Sequence, residues 1–137
     1  LRLVFGADDL VASYVGANLQ QIMVPPYTAI GGTVDGETLC IGAVFNQWNG
    51  SNLDISLYGP GALRRGAIRA VYHYAFEQTG AQRLTAITRR SNKTMQRLLP
   101  RFGFQFEGTS KRFFGPSKAD DGLRFVLFPE QARKWMT

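Results

Sequence analysis

The sequence holds one cysteine, Cys40, and one histidine, His73, among its 137 residues. A lone cysteine excludes an internal disulfide framework, and neither residue has partners at the spacing of a zinc site. No metal is therefore expected. No apolar run approaches the roughly 20 residues that a membrane-spanning helix needs, and no signal-peptide pattern opens the chain. Charge is scarce too, at 19% of residues, whereas 45% are hydrophobic and 10 are Phe. That balance excludes a disordered segment and leaves enough apolar matter for a real core. The expectation is one cytoplasmic domain over residues 1–137, with Leu1 in place of Met pointing to a trimmed chain.

The charge that is present is unevenly placed. Between Arg64 and Arg112 stand 11 Lys/Arg against only Glu77 and Glu107, so this stretch carries about +9 of a net charge of +6 and the remainder about −3. A local positive field of this kind favours an anionic ligand, either a phosphate-bearing cofactor or nucleic acid.

Periodicity orders the elements. Leu1–Phe5 reads as a short strand, and Asp8 or Asp9 as the cap of a helix to about Asn18 with Leu10, Val11, Tyr14 and Val15 on its buried side. Tyr27–Val34 and Thr38–Trp48 form a hairpin about Asp35-Gly36, and Leu53–Tyr58 follows the Asn49–Asn52 turn. After Pro60-Gly61 a helix runs from about Ala62 to Gln78, with Leu63, Ala67, Ile68, Val71, Tyr72, Ala75 and Phe76 on one face. Leu84–Thr88 is a strand. Asn92 caps the next helix, in which Met95, Leu98, Leu99 and Phe102 oppose Lys93, Arg97 and Arg101. Phe104–Phe114 and Leu123–Phe128 are the final strands, and Pro129 starts a short tail helix expected to fray. The order β-α-β-β-β-α-β-α-β-β predicts an α/β architecture with a mixed, partly parallel central sheet flanked by helices.

One stretch carries more than layout. Asn92 at a helix start, Gly103-Phe104 at its end and Glu107-Gly108 on the following strand stand in an order and spacing that resemble the acyl-CoA-binding half of the GNAT acetyltransferases. The branch most resembled is the one that acetylates ribosomal-protein alanine and other protein N-termini, together with related small amines. The likeness covers about the last 85 residues, and Arg97 matches a frequent Arg of that helix. It implies a GNAT-like fold, acetyl-CoA as cosubstrate, and direct attack by an amine on the thioester in a ternary complex. The acceptor, a small molecule or a protein N-terminus, stays open, and the resemblance allows a homodimer.

The resemblance also implies where the cofactor would sit. In the family a strand splays from its neighbour, and the helix after it holds the CoA pyrophosphate on its free N–H groups. Here that maps to the backbone about Leu57 and Tyr58 and to Arg64, Arg65, Gly66 and Ala67, with Asn92 a further CoA contact. Helix N-termini suit anions because unpaired donors and the dipole both point at the ligand. Of the family loop pattern Gln/Arg-x-x-Gly-x-Gly/Ala, only Gly66 is kept: Leu63 replaces the first residue and Ile68 the last. Arg64 and Arg65 are placed to supply charge instead.

The proton chemistry departs as well. Leu99 stands where a Tyr usually protonates the leaving thiolate, and Met95 where a small hydroxyl residue contacts CoA. Asp54 is the candidate general base, against a structural role for it, and Tyr58 on the same strand is a candidate for either proton step, against simple packing. His73 reads as a solvated helix residue, Cys40 as a small core residue, and Trp48 and Trp135 as packing. Phe113-Phe114 is expected to place one ring in the core, the alternative being a wall of the acceptor site. Two other functional readings remain: a GNAT-shaped assembly module with little or no turnover, and a basic nucleic-acid-binding domain.

Overall fold

In a computed structural model, which describes residues 1–59 and 64–137, the element order is the one predicted. The strands are β1 (Arg2–Phe5), β2 (Tyr27–Thr33), β3 (Leu39–Asn46), β4 (Asn52–Tyr58), β5 (Arg83–Arg89), β6 (Gln105–Ser110) and β7 (Gly122–Leu127). The helices are α1 (Asp8–Leu19), α2 (Arg65–Tyr72), α3 (Lys93–Arg101) and α4 (Pro129–Ala132). One sheet runs β1-β2-β3-β4-β5-β7-β6, antiparallel except for the parallel pair β4 and β5 at its centre. The predicted start of α2 at Ala62, with Leu63, lies outside the described residues.

Each face of the sheet has its own apolar layer. On one face α2, α3 and the C-terminal turn cover Phe45, Leu53, Ile55, Leu84, Ala86, Phe125 and Leu127. On the other, Val11 and Val15 of α1 pack on Ala29 and Val44. The α1 contact depends on missing side chains. Gly31 of β2 pairs with Gly42 of β3, and a Cβ added at Gly42 would lie 2.5 Å from Val15 Cγ2. Close approach of this kind turns α1 so that Ala12 and Gly16 share its buried face, and Leu10, expected to be buried, is 63% exposed.

Two expectations at helix ends are corrected. Neither Asp8 nor Asp9 caps α1; Ala7 holds that position and the aspartates form the first turn. Their carboxylates reach β2 instead, Asp8 accepting from the Ala29 N–H (3.0 Å) and Asp9 from the Tyr27 hydroxyl (2.7 Å). The tail is not frayed. Ala132 and Trp135 are buried, Trp135 meets Tyr72 edge-on, and Arg65 donates to the Lys134 carbonyl.

His73 belongs to the same junction rather than to bulk solvent. It lies where α2 widens into π-helical turns (His73–Gln78), with Nε2 2.9 Å from the Met136 carbonyl and Nδ1 2.9 Å from Glu77. Both partners are acceptors, so the doubly protonated ring satisfies both; the Glu77 bond and then the Met136 bond raise its pKa. Cys40 is only partly buried, its thiol donating to the Gly32 carbonyl at 3.4 Å. Asn92 caps α3 as predicted, its Oδ1 accepting from the Met95 N–H at 3.1 Å.

β6 is shorter than predicted, while β7 keeps its expected length and starts one residue earlier. β6 stops at Ser110, with a bulge between Phe106 and Gly108 that leaves Glu107 outside the ladder. Phe104 is buried, but Phe106 stays mostly exposed, edge-on to Phe125. Phe113-Phe114 lies beyond the strand, in the loop that returns to β7 through a short 3₁₀ turn (Lys118–Asp120).

Because α1 sits directly on the glycine pair, Gly42→Ala is expected to lower unfolding free energy by about 1–3 kcal/mol, as overpacking does. Urea denaturation of both proteins checks this, and an unchanged midpoint would contradict the close approach.

Candidate functional site

The sheet opens at its centre. β4 and β5 pair from Asn52↔Arg83 to Ile55↔Ala86 and no further, although β4 continues to Tyr58 and β5 to Arg89. Each strand keeps its other neighbour, β4 reaching Tyr58↔Gly42 and β5 reaching Arg89↔Gly122. Backbone N–H and C=O groups that point into the gap therefore lose their ladder partners. Ser56 and Leu57 line one side of this cleft, Ile87, Thr88 and Asn92 the other, and Met95 and Leu99 its floor. It is narrow, enclosing about 20 Å³. Its floor carries no hydroxyl, since both substituted positions of α3 are apolar and buried.

A second cavity, of about 160 Å³, opens on the α1 face and shares Gln21, Ile55, Ser56 and Ile87 with the cleft. Asp54 and Thr85 form its base; residues 21–24, from the α1–β2 connection, wall one side and Phe113-Phe114 the other. Phe113-Phe114 thus walls a cavity and has no ring in the core, because the strand that would have carried it inward ends at Ser110.

Asp54 is held by a directional chain of side chains. Arg83 makes a bidentate bond to the bulged Glu107, with Nη1 3.0 Å from Oε2. Its Nε donates to the Thr85 hydroxyl (3.3 Å), which donates to Asn52 Oδ1. Guanidinium can only donate, so the hydroxyl must pass its own proton onward, and the Asn52 amide is left to donate to Asp54 Oδ1 at 2.9 Å. Burial raises the Asp54 pKa above the ordinary carboxylate value, more than the Asn52 bond and the nearby Arg124 and Arg83 lower it.

Arg89 closes the other end. Its Nη1 donates to the Leu19 carbonyl at the end of α1 (2.8 Å), and its Nη2 lies 3.4 Å from the Phe114 carbonyl. Its Nε is 3.4 Å from Asp120, and the guanidinium stacks 4.8 Å from the Phe114 ring centre. One side chain therefore ties both walls of the cavity to the tip of β5. Sequence reading passed over Arg83, Thr85, Asn52 and Arg89. For the three on β5 the only signal was polar residues recurring on one face of the strand, and Asn52 on β4 had none.

The residues expected to form the site are partly brought together. Asp54 lines the cavity, and Leu57 and Asn92 line the cleft. The Tyr58 ring turns away onto α1, edge-on to Tyr14 at 5.6 Å, and borders neither space. Arg64 precedes α2, and Arg65, Gly66 and Ala67 form its first turn; the first bond of the helix runs from Ile68 N–H to Arg64 C=O, at 3.0 Å. No side chain caps that end among the described residues, and a Cβ added at Gly66 would meet nothing within 4 Å. Arg65 has its guanidinium on Lys134, and Ala67 points its methyl into the core. Trp48 is half-exposed at a separate, larger hollow with Tyr27 and Tyr74. Among the described residues no group of His, Cys, Asp or Glu has metal-site geometry, and no helix is long and apolar enough to cross a membrane.

No family model matches the sequence, and no curated protein matches it. Solved structures do match the fold. A point mutant of spermidine N-acetyltransferase SpeG from Vibrio cholerae superposes with a TM-score of 0.74 at 13% identity, over 100% of this chain and 98% of that one. YncA from Salmonella typhimurium, solved with its cofactor acetyl-CoA, gives 0.67 at 16% identity over 93% and 92%. The chain has the GNAT fold.

Two outcomes are expected from the site as built. Asp54→Asn keeps an acceptor for Asn52 and removes a partly buried charge, so its melting temperature at pH 7 should exceed that of the parent. A carboxyl whose folded-state pKa is raised destabilises the fold only when ionised, so the gap should close as pH falls through the raised Asp54 range. Melting both proteins across pH 4–8 checks the sign. Arg89→Ala should cost about 1–3 kcal/mol, the scale of lost charged hydrogen bonds. The accompanying rise in amide exchange should concentrate in residues 19–24 and 112–121.

Proposed function

We propose that the protein is an acyl-CoA-dependent N-acetyltransferase that moves an acetyl group from acetyl-CoA directly to an amine. The observation that carries this reading is the union of two spaces at Ser56 and Ile87. One is a strand gap with unpaired backbone donors; the other is a cavity with a carboxylate at its base. Acyl transfer needs both: donors for the thioester carbonyl, and an acceptor for the proton of the amine.

The residues present fit the donor. Successive amides on β4 alternate in direction, so one of Leu57 and Tyr58 aims its N–H into the gap, where it polarises the thioester oxygen. The enclosed space is little larger than a water molecule, so the pantetheine arm lies along the strand edges rather than in a tunnel. The first-turn amides of Arg65, Gly66 and Ala67, with the open space at Gly66, hold the pyrophosphate. Arg64 adds charge, and Asn92 contacts the arm from across the gap.

In the transfer itself, Asp54 takes a proton from the ammonium, directly or through a water, and the neutral nitrogen attacks the carbonyl carbon. The C–N bond forms as the C–S bond breaks; nitrogen gives its second proton to solvent water, and the thiolate takes one up. With Leu99 in place of a tyrosine, that last proton comes from water or from a group outside α3. A second reading, a GNAT-shaped module without turnover, draws on the apolar pair Met95 and Leu99. An Asp54 poised by a directed hydrogen-bond chain favours the enzyme.

Acetyl-CoA should bind with measurable heat in calorimetry, and no heat with folded protein would end the reading. Asp54→Asn should lower kcat/KM by about 100-fold, the scale of a lost general base. The acidic limb of the wild-type pH profile, in which activity rises as Asp54 ionises, should disappear in the variant.

A further inference from the structure

We infer that the acceptor is a monoamine whose single charge sits on an apolar or aromatic body, and that polyamines are excluded. The inference rests on the acyltransferase reading and concerns the cavity above Asp54. Its mouth is unusual for a surface: Ile22 is 90% exposed, Val24 45% and Phe113 49%, and all three border the same cavity. Single exposed apolar residues need no explanation, but three from two chain segments around one opening mark a site that an apolar ligand covers. Phe114 continues this wall inward, its ring 4.9 Å from that of Phe113 and held in place beneath Arg89.

Charge decides how many ammonium groups the cavity accepts. Asp54 is its sole lining carboxylate among the described residues. The acids nearby are committed elsewhere: Glu107 to Arg83, Asp120 to Arg89 and Asp121 to Arg90. Arg83 and Arg124 lie close enough to Asp54 to act on its charge. One ammonium is matched by one carboxylate. A second or third finds no further carboxylate: beyond Asp54 the polar lining is neutral (Gln21, Asn46, Gln47, Ser56 and Thr85), the rest is largely Ile22, Val24 and the phenylalanines, and Arg124 adds positive charge nearby. Two sources present this chemistry, a free arylalkylamine and a peptide N-terminus with an apolar first side chain.

Initial rates of CoA release with saturating acetyl-CoA test the inference, with β-phenylethylamine, a Phe-led tetrapeptide and spermidine as acceptors. We expect one of the first two to exceed spermidine in kcat/KM by at least about tenfold, the scale of discrimination in an apolar pocket; the faster of them identifies the source. Spermidine equal or better overturns the inference and leaves the acyltransferase reading standing. Acetyl-CoA binding without transfer to either apolar amine also overturns it. Absence of acetyl-CoA binding in calorimetry removes the reading itself and the inference with it. Phe113→Ala deletes a half-exposed ring and should raise the KM of the preferred amine by about tenfold; an unchanged KM counts against the assignment.

Discussion

The molecule depends on a parting of two parallel strands. β4 and β5 share only the ladder from Asn52↔Arg83 to Ile55↔Ala86, then follow their antiparallel neighbours apart. A gap in the middle of a sheet is expensive, because backbone groups facing it have no partner strand. The fold tolerates it by lining the floor with Met95 and Leu99 of α3 and by anchoring that helix through the Asn92 cap. Under the proposed function these same unpaired groups are the donors offered to a thioester carbonyl.

Around that gap the arginines of β5 act inside the structure rather than as a solvated band. Arg83 fixes the chain that ends at Asp54, and Arg89 binds α1 and the β6–β7 loop together. Arg90 pairs with Asp121, whose carboxylate also accepts the Arg112 N–H. Within the basic stretch Arg83, Arg89 and Arg90 are thus spent on internal acids and carbonyls, whereas Arg64, Arg69, Lys93, Arg97, Arg101, Lys111 and Arg112 stay exposed. Guanidinium suits the task because its planar fork reaches several acceptors at once, which an ammonium cannot do in fixed geometry.

The helix and turn chemistry was legible in the sequence because it is local. Asn92 caps α3, the Asp35-Gly36 turn closes its hairpin with Gly36 at φ +84°, and Asp54 falls on β4. The misreadings share one cause, since each depended on a distant partner. Leu10 is exposed because Gly31 and Gly42, far along the chain, draw α1 down on another face. Asp8 and Asp9 are diverted from capping by β2, and the tail is held by Arg65 of α2 and by His73 of the π-helical turns after it. Phe113-Phe114 leaves the strand because β6 runs out of partner at Ser110, which pairs with Gly122, the first residue of β7.

By itself, then, the sequence determined element order, the capped α3 and its Gly-Phe turn, and an acidic residue on the fourth strand. Those follow from period, capping and turn preferences, which act over a few residues. The resemblance implied a splayed strand about Leu57 and Tyr58; tertiary structure alone decided that pairing ends at Ile55, that Asp54 is oriented through Asn52, Thr85 and Arg83, and that two remote loops meet at Arg89. Such features join residues up to 70 positions apart, as Arg89 and Leu19 are. A local pattern records a cap such as that of Asn92, and none records a hydrogen bond to a partner that only chain closure brings near.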